Sequence, residues 1–228
     1  MTAYLQALNS HTGPDPIPLP LADFATMLGL DGLGLLLSPT GGPAQLMQSH
    51  GKHTGTLEDL QQVQGQGPSL DAARLGTLLL IPDIAQYTGE QWPGLPAAIQ
   101  ALDVHAVFAF PLRIGIIGLG ALSGYRIHPG PMSDEQLADA FGLAETLAQL
   151  TIATATDLAP TALLDDPGLH FAEVHQATGM LAAQLDTDCD HALILLRGHA
   201  FSHERPLLDV ARDVLAHHLH LNDDTPQP

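Results

Sequence analysis

The sequence predicts an α+β protein in three parts: an antiparallel sheet with flanking helices, a long connecting helix, and a C-terminal bundle of three helices. Three observations carry this. VFAFPLRIG (107–115) and GLGALSGYR (118–126) are apolar runs separated by a glycine turn, the mark of a β-hairpin. Ser133, with Gln136 three residues on, forms a capping box ahead of an apolar-periodic stretch reaching about residue 158. Between Glu173 and Leu221, three further segments repeat apolar residues at helical spacing, with polar breaks between them.

Taken in order, residues 1–20 end in HTGPDPIPLP, a proline- and glycine-rich leader. A short helix from about Leu19 to Leu30 would place Leu21, Phe24, Ala25 and Leu28 on one side. DGLGLLLSP (31–39) then reads as a buried strand stopped by Pro39. Gly41 and Gly42 make a turn, and AQLMQSHG (44–51) returns as the second strand. TLEDLQQVQ (56–64) has the pattern of a helix exposed on one side. In GQGPSLDAARLGTLLLIPDI (65–84), turns bracket a helix from Ser69 to Leu75, and the strand TLLLIPD follows. Trp92, Pro93, Leu95 and the helix PAAIQALD (96–103) form a segment lying over the sheet. Arg113 and Arg126 fall near opposite ends of the hairpin.

The connecting helix carries two apolar stripes. Leu137, Phe141, Ala144, Ala148 and Thr151 make one; Leu143, Leu147, Leu150 and Thr154 make the other. Two stripes imply two neighbours: the sheet and, in a homodimer, the same helix of a second subunit. Residues 159–168 read as a linker, which divides a domain at 21–158 from a bundle at 169–222, with a tail at 223–228. The first bundle helix is expected to start with Asp166 as its cap before Pro167, and its stripe is Phe171, Val174, Thr178, Leu181 and Leu185. The second takes Thr187 as its cap with Asp190 three residues on, and buries Cys189, Ala192, Leu193, Leu196 and Ala200. The third starts at Pro206 and buries Leu207, Val210, Ala211, Val214 and Leu215.

Composition narrows the function classes. With 228 residues and 45% hydrophobic content there is material for a substantial core. No apolar run reaches the roughly 18 residues that span a bilayer, and the N-terminus lacks a signal-peptide layout, so a cytoplasmic protein is expected. One cysteine, Cys189, excludes an internal disulfide and any multi-cysteine metal site. The net charge of −18 sets 7 basic residues against 25 acidic ones. From Pro160 onward, three arginines (Arg197, Arg205, Arg212) face eleven acids, and eight of the thirteen histidines lie there. Any nucleic-acid contact in that region is therefore local, weak or conditional, because phosphate neutralisation supplies most such affinity. Histidine charging on mild acidification would strengthen it.

Gly65-Gln66-Gly67-Pro68, Ile81-Pro82-Asp83, Phe108-Ala109-Phe110-Pro111-Leu112 and Gly118-Leu119-Gly120-Ala121-Leu122 occur in the order of a known pattern. Over about residues 20–155 the chain resembles a GAF domain, a small-molecule-sensing fold. That resemblance implies a ligand pocket, with Trp92, Phe108, Phe110 and Tyr125 as candidate lining residues. Core filling explains the same four aromatics equally well. With no cysteine in this half, covalent chromophore attachment is not expected.

Ala177 and Gly179, Ala192, Leu196-Arg197, Ala200 and Val210-Ala211 also follow a joint spacing. This segment resembles an ANTAR domain, the three-helix RNA-binding module of transcription antitermination regulators. The resemblance implies a recognition surface at Ala177, Gly179, Ala192, Leu196, Arg197, Ala200 and Ala211, with Arg205 and Arg212 as further cations. It implies an RNA target made of two stem-loops overlapping a terminator, one loop per subunit. Thr178 stands where the family often has lysine, which removes one phosphate partner. The alternative is an interaction protein whose bundle serves dimerisation or partner docking.

Enzyme readings lack motifs. GIIGLG (115–120) has the wrong glycine spacing for a dinucleotide site, and Ser123 in ALSGY is not a hydrolase elbow. His199 and His203 are four apart, but no partner is fixed by spacing, so neither metal nor cofactor is expected.

Overall fold

Alternation along the central hairpin decides the two faces of the sheet. The computed structural model of the chain describes residues 19–38, 44–157, 172–203 and 205–219. Five strands lie antiparallel in the order β2-β1-β5-β4-β3: β1 is Gly32–Leu37, β2 Gln45–His50, β3 Leu79–Ile81, β4 Ala106–Ile114 and β5 Ile117–Arg126. The β4–β5 turn is Gly115 and Ile116, closed by the Ile114–Ile117 pair, with Gly115 at φ 59°. On β4 and β5, Phe108, Phe110, Leu112 and Leu122 point into one layer. Val107, Ala109, Ala121, Ser123 and Tyr125 have the opposite parity and face the other.

The first layer is helix α1 (Leu21–Leu28) and the later, long helix α5 (Asp134–Asp157). Leu21, Phe24, Ala25 and Leu28 are all buried against the sheet, as their spacing predicts. The capping box of α5 is reciprocal: Ser133 N–H donates to Gln136 Oε1 at 2.9 Å, and Gln136 N–H donates to Ser133 Oγ at 3.2 Å. Its two expected stripes merge into one broad face, in which Ala140, Leu143, Ala144, Leu147 and Ala148 are buried. Phe141 is 48% exposed and meets Phe110 edge-on, at 5.5 Å between centroids. Covered on both faces, all six residues of β1 are buried.

The second layer holds α2 (Thr54–Gln64), α3 (Pro68–Leu75) and α4 (Leu95–Ala101). Here the structure corrects the sequence. The polar side of α2 is not solvated: Thr54, Glu58, Gln61 and Gln62 are buried beside Leu57. Small residues on the sheet make room for it. A Cβ on Gly32 would stand 2.7 Å from Thr54 Oγ1, and one on Gly34 would stand 3.0 Å from Thr54 Cγ2.

The C-terminal trio is α6 (Ala172–Leu185), α7 (Cys189–Ser202) and α8 (Leu207–Leu215). Val174, Thr178, Leu181, Ala192, Leu196, Ala200, Leu207, Val210, Ala211 and Val214 are buried. Two details differ from expectation. Asp188, not Thr187, caps α7, its Oδ1 accepting from His191 N–H at 2.7 Å; the two candidates are adjacent, and both are good caps. Cys189 is exposed, because the cap places it in the first turn, off the buried stripe. The expected cap at Asp166, the linker at 159–168 and the turn at Gly41 and Gly42 lie outside the described residues. The trio is docked on the second layer. One apolar cluster joins Leu181, Leu196, Ala200 and Val210 to Leu36, Leu70, Ala73 and Ala109, with Val63 of α2 against it.

Candidate functional site

The four aromatics named from sequence are all buried, but they do not line one pocket. Phe108 and Phe110 lie in the α1/α5 layer, where the Arg126 guanidinium sits 5.2 Å over the Phe108 ring. Trp92 and Tyr125 lie on the opposite face, packed with Leu57, Ile84 and Ile99. Trp92 Nε1–H donates to Asp71 Oδ2 at 2.7 Å, and its ring stacks on Tyr87 at 5.0 Å. Burial, and then the charge of Asp71, holds the Tyr87 phenol above its ordinary value. The Tyr125 hydroxyl accepts the His53 N–H at 3.0 Å. These bonds satisfy the polar tips of two large buried rings.

Where α2 and α3 meet the sheet lies a polar cluster that sequence reasoning missed. Glu58 is fully buried on α2. Its Oε2 accepts from Ser69 Oγ on α3 and from Gln61 Nε2 at 3.2 Å. Gln61 Oε1 in turn accepts the Ser69 N–H at 2.9 Å. Ser123, buried on β5, lies on the sheet side of Glu58 and favours its charged form. Burial raises the Glu58 carboxyl from 4.5 to about 7, against the opposing pull of hydrogen bonds to Ser123 and Ser69. Gly67, at φ 142°, lets Gln61 pass: a Cβ there would lie 2.4 Å from Gln61 Oε1. The arrangement is a protonatable acceptor held by amide and hydroxyl groups inside the sheet-bearing half of the chain. Its signal in the sequence was faint: Thr54, Glu58, Gln61 and Gln62 fall at helical spacing, like any solvated face.

On the bundle, Ala177, Ala192, Leu196, Ala200 and Ala211 have no exposed surface. They form helix contacts and present no side chain to a ligand in this arrangement. Gly179 is exposed, with open space where a Cβ would stand. The three arginines do not converge on an open face. Arg205 donates to Asp213 Oδ2 at 2.7 Å. Arg212 pairs with Glu173 at 2.7 Å and Asp209 at 3.7 Å. Arg197 turns inward, its NH2 donating to Gln62 Oε1 of α2 at 3.4 Å. His199 and His203 stack at 4.0 Å, with His203 capping α7. Burial, His203 and Arg205 hold His199 below its ordinary value, outweighing Asp213. Among the described residues no group of three or more His, Cys, Asp or Glu could hold a metal ion, and no helix is long and apolar enough to cross a membrane.

No family model matches the sequence, and no curated protein matches it. Solved structures do. The chain is similar to the GAF domain of a phosphoenolpyruvate-protein phosphotransferase from Coxiella burnetii, with 17% identity, TM-score 0.54, and coverage of 68% of this chain and 92% of that one. A GAF domain of the same enzyme type from Acinetobacter matches with 15% identity, TM-score 0.51, and coverage of 69% and 93%. A free methionine-R-sulfoxide reductase from Neisseria meningitidis, in complex with its substrate, matches with 13% identity, TM-score 0.47, and coverage of 69% and 89%. The sheet and its flanking helices have the GAF fold.

Proposed function

We propose that this chain is a signal-responsive regulator. The GAF domain senses a small molecule or partner, and the C-terminal trio is its output module, binding stem-loop RNA to favour antitermination. The observation that carries the sensor–output reading is the docking of α7 on α2. The helix that holds Glu58 and Gln61 in the domain interior also holds Gln62 against Arg197 of the output module. A change inside the sensor thus has one turn of helix to cross before it reaches the bundle. The RNA part is supported by the ordered small-residue spacing of 177–211 and by its falling on three successive helices. A homodimer, with one bundle per stem-loop, follows from the same reading. The test is a gel shift at low salt that compares a dual stem-loop RNA with random RNA of equal length. Preference for the former is expected, and equal affinity sinks the RNA role.

One observation favours a second reading. Arg205 and Arg212 are each paired with acids. A bundle built this way suits partner docking without RNA, and retention of a protein partner with no RNA preference would establish it.

A further inference from the structure

Seven basic residues in a chain of net charge −18 are expected to find carboxylates easily. Two do not. Arg197 crosses from α7 to α2, where among the described residues its only hydrogen-bond partner is the Gln62 amide and its buried Nε–H has no acceptor. Arg74 of α3 reaches the same place, NH1 donating to Gly65 O at 3.3 Å. Gly65 adjoins both groups, since a Cβ there would stand 3.4 Å from Arg197 NH1. His175 of α6 is the third member: burial, and then the Arg197 charge, lowers its pKa. Burial, and then the charge of Arg74, lowers Arg197 to about 10. Among the described residues no carboxylate is paired with any of the three. Asp71, on the same helix as Arg74, is engaged by Trp92 and Gln91.

Two guanidinium groups brought together by two helices repel one another unless an anion lies between them, and the neutral imidazole of His175 adds an N–H donor beside them. A buried donor left without an acceptor costs about 1–3 kcal/mol. The guanidinium fork matches an oxyanion with two or more acceptor oxygens. Three donor groups arriving from different helices suit a tetrahedral anion better than a planar carboxylate.

We propose that the seam between the GAF domain and the C-terminal bundle, at Arg74, Arg197 and His175, is a binding site for a phosphoryl group, carried by a small phosphorylated metabolite or by the RNA backbone. Arg74 belongs to the sensor, and Arg197 and His175 to the bundle, so the anion bridges them and strengthens their docking. The site stands whether or not the bundle reads RNA.

The test uses the full chain and three probes at constant ionic strength: inorganic phosphate, adenosine 5′-monophosphate and the dual stem-loop RNA. Calorimetric titration and thermal melting are both read. Wild-type protein is expected to bind at least one probe saturably, with stabilisation beyond that given by chloride. R74Q and R197Q should each weaken that binding at least tenfold. R113Q should leave it unchanged, because Arg113 lies exposed at the hairpin end and, among the described residues, donates only to Gly115 O. A metabolite source predicts tighter binding of the nucleotide than of free phosphate, without competition by RNA; an RNA source predicts competition. No saturable effect from any probe overturns the site, as does binding retained in R74Q and R197Q. Should R197Q fail to fold, R74Q decides alone, since Arg74 is exposed and its loss leaves the core intact.

Discussion

The Ser69 hydroxyl donates to the buried carboxylate of Glu58, tying α3 to α2 beneath the docked bundle. Glu58 Oε1 has no partner of its own by geometry, although Ser123 stands near enough to favour the charged form. Because burial raises this carboxyl from 4.5 to about 7, the folded state binds a proton that the unfolded chain releases. The sign follows. Stability from this group is fully present below about pH 4.5 and is lost as pH rises through about 7. At about 1.4 kcal/mol per pKa unit, the loss is on the order of 3 kcal/mol. E58Q removes the titration. Denaturant unfolding at pH 5 and pH 8 should show the variant gaining on wild type by about 3 kcal/mol across that interval. A difference independent of pH would mean that Glu58 is charged throughout.

Trp92 is the only tryptophan, and its Nε1–H bond to Asp71 is short and part-buried. D71A leaves that donor without its acceptor and should cost about 1–3 kcal/mol. W92F removes the donor and leaves Asp71 its bond from Gln91, so it should cost less than D71A in hydrogen bonding, though it also loses packing. Unfolding curves followed by circular dichroism decide between them. Tryptophan fluorescence of D71A should change before unfolding, because the indole's immediate partner is gone.

The elements were legible where local pattern decides them. The β4–β5 hairpin, the α5 capping box and the stripe of α8 all follow from period and punctuation within a dozen residues. The burial of Glu58 was not legible, because the groups around it, Ser69 and Ser123, come from other elements, while Gly32 and Gly34 of β1 make room for Thr54 on the same helix. Phe108 and Tyr125 look equivalent as aromatic strand residues; their separation onto opposite faces depends on register, which sets Val107 opposite Tyr125. Arg197 shows the same limit. Its spacing fits a surface cation, and only the packing of α7 on α2 turns it inward.

Two glycines separate strain from crowding. Gly115 has φ 59° and open space around it. G115A therefore pays only for the left-handed backbone and should cost about 1–2 kcal/mol. Gly120 has φ 151°, and a Cβ there would lie 1.9 Å from Leu36 O. The atom in the way is strand backbone, part of the β1–β5 ladder, and has nowhere to move. G120A should cost more than about 3 kcal/mol, with loss of the folded sheet. Thermal melting of the two variants side by side checks both, and similar losses would mean that the close approach of β1 to β5 relaxes.

The acid partners of Arg205 and Arg212 offer a way to ask what the bundle is for. Glu173 and Asp213 hold these arginines at 2.7 Å across partly exposed surfaces. Such pairs contribute about 0–1 kcal/mol to folding, so E173Q/D213N should melt close to wild type. The effect on RNA should be larger. Two arginines freed from their 2.7 Å partners, with Arg212 keeping only Asp209 at 3.7 Å, can each meet a phosphate. Affinity for the dual stem-loop RNA should then rise about tenfold, with a steeper salt dependence, since each added phosphate contact releases counterions. The salt slope matters because a general fall in negative charge would raise affinity for random RNA equally. A rise confined to stem-loop RNA assigns the arginines to recognition. Unchanged affinity in a variant that melts like wild type means that the pairs serve the bundle's shape alone, and partner docking becomes its function.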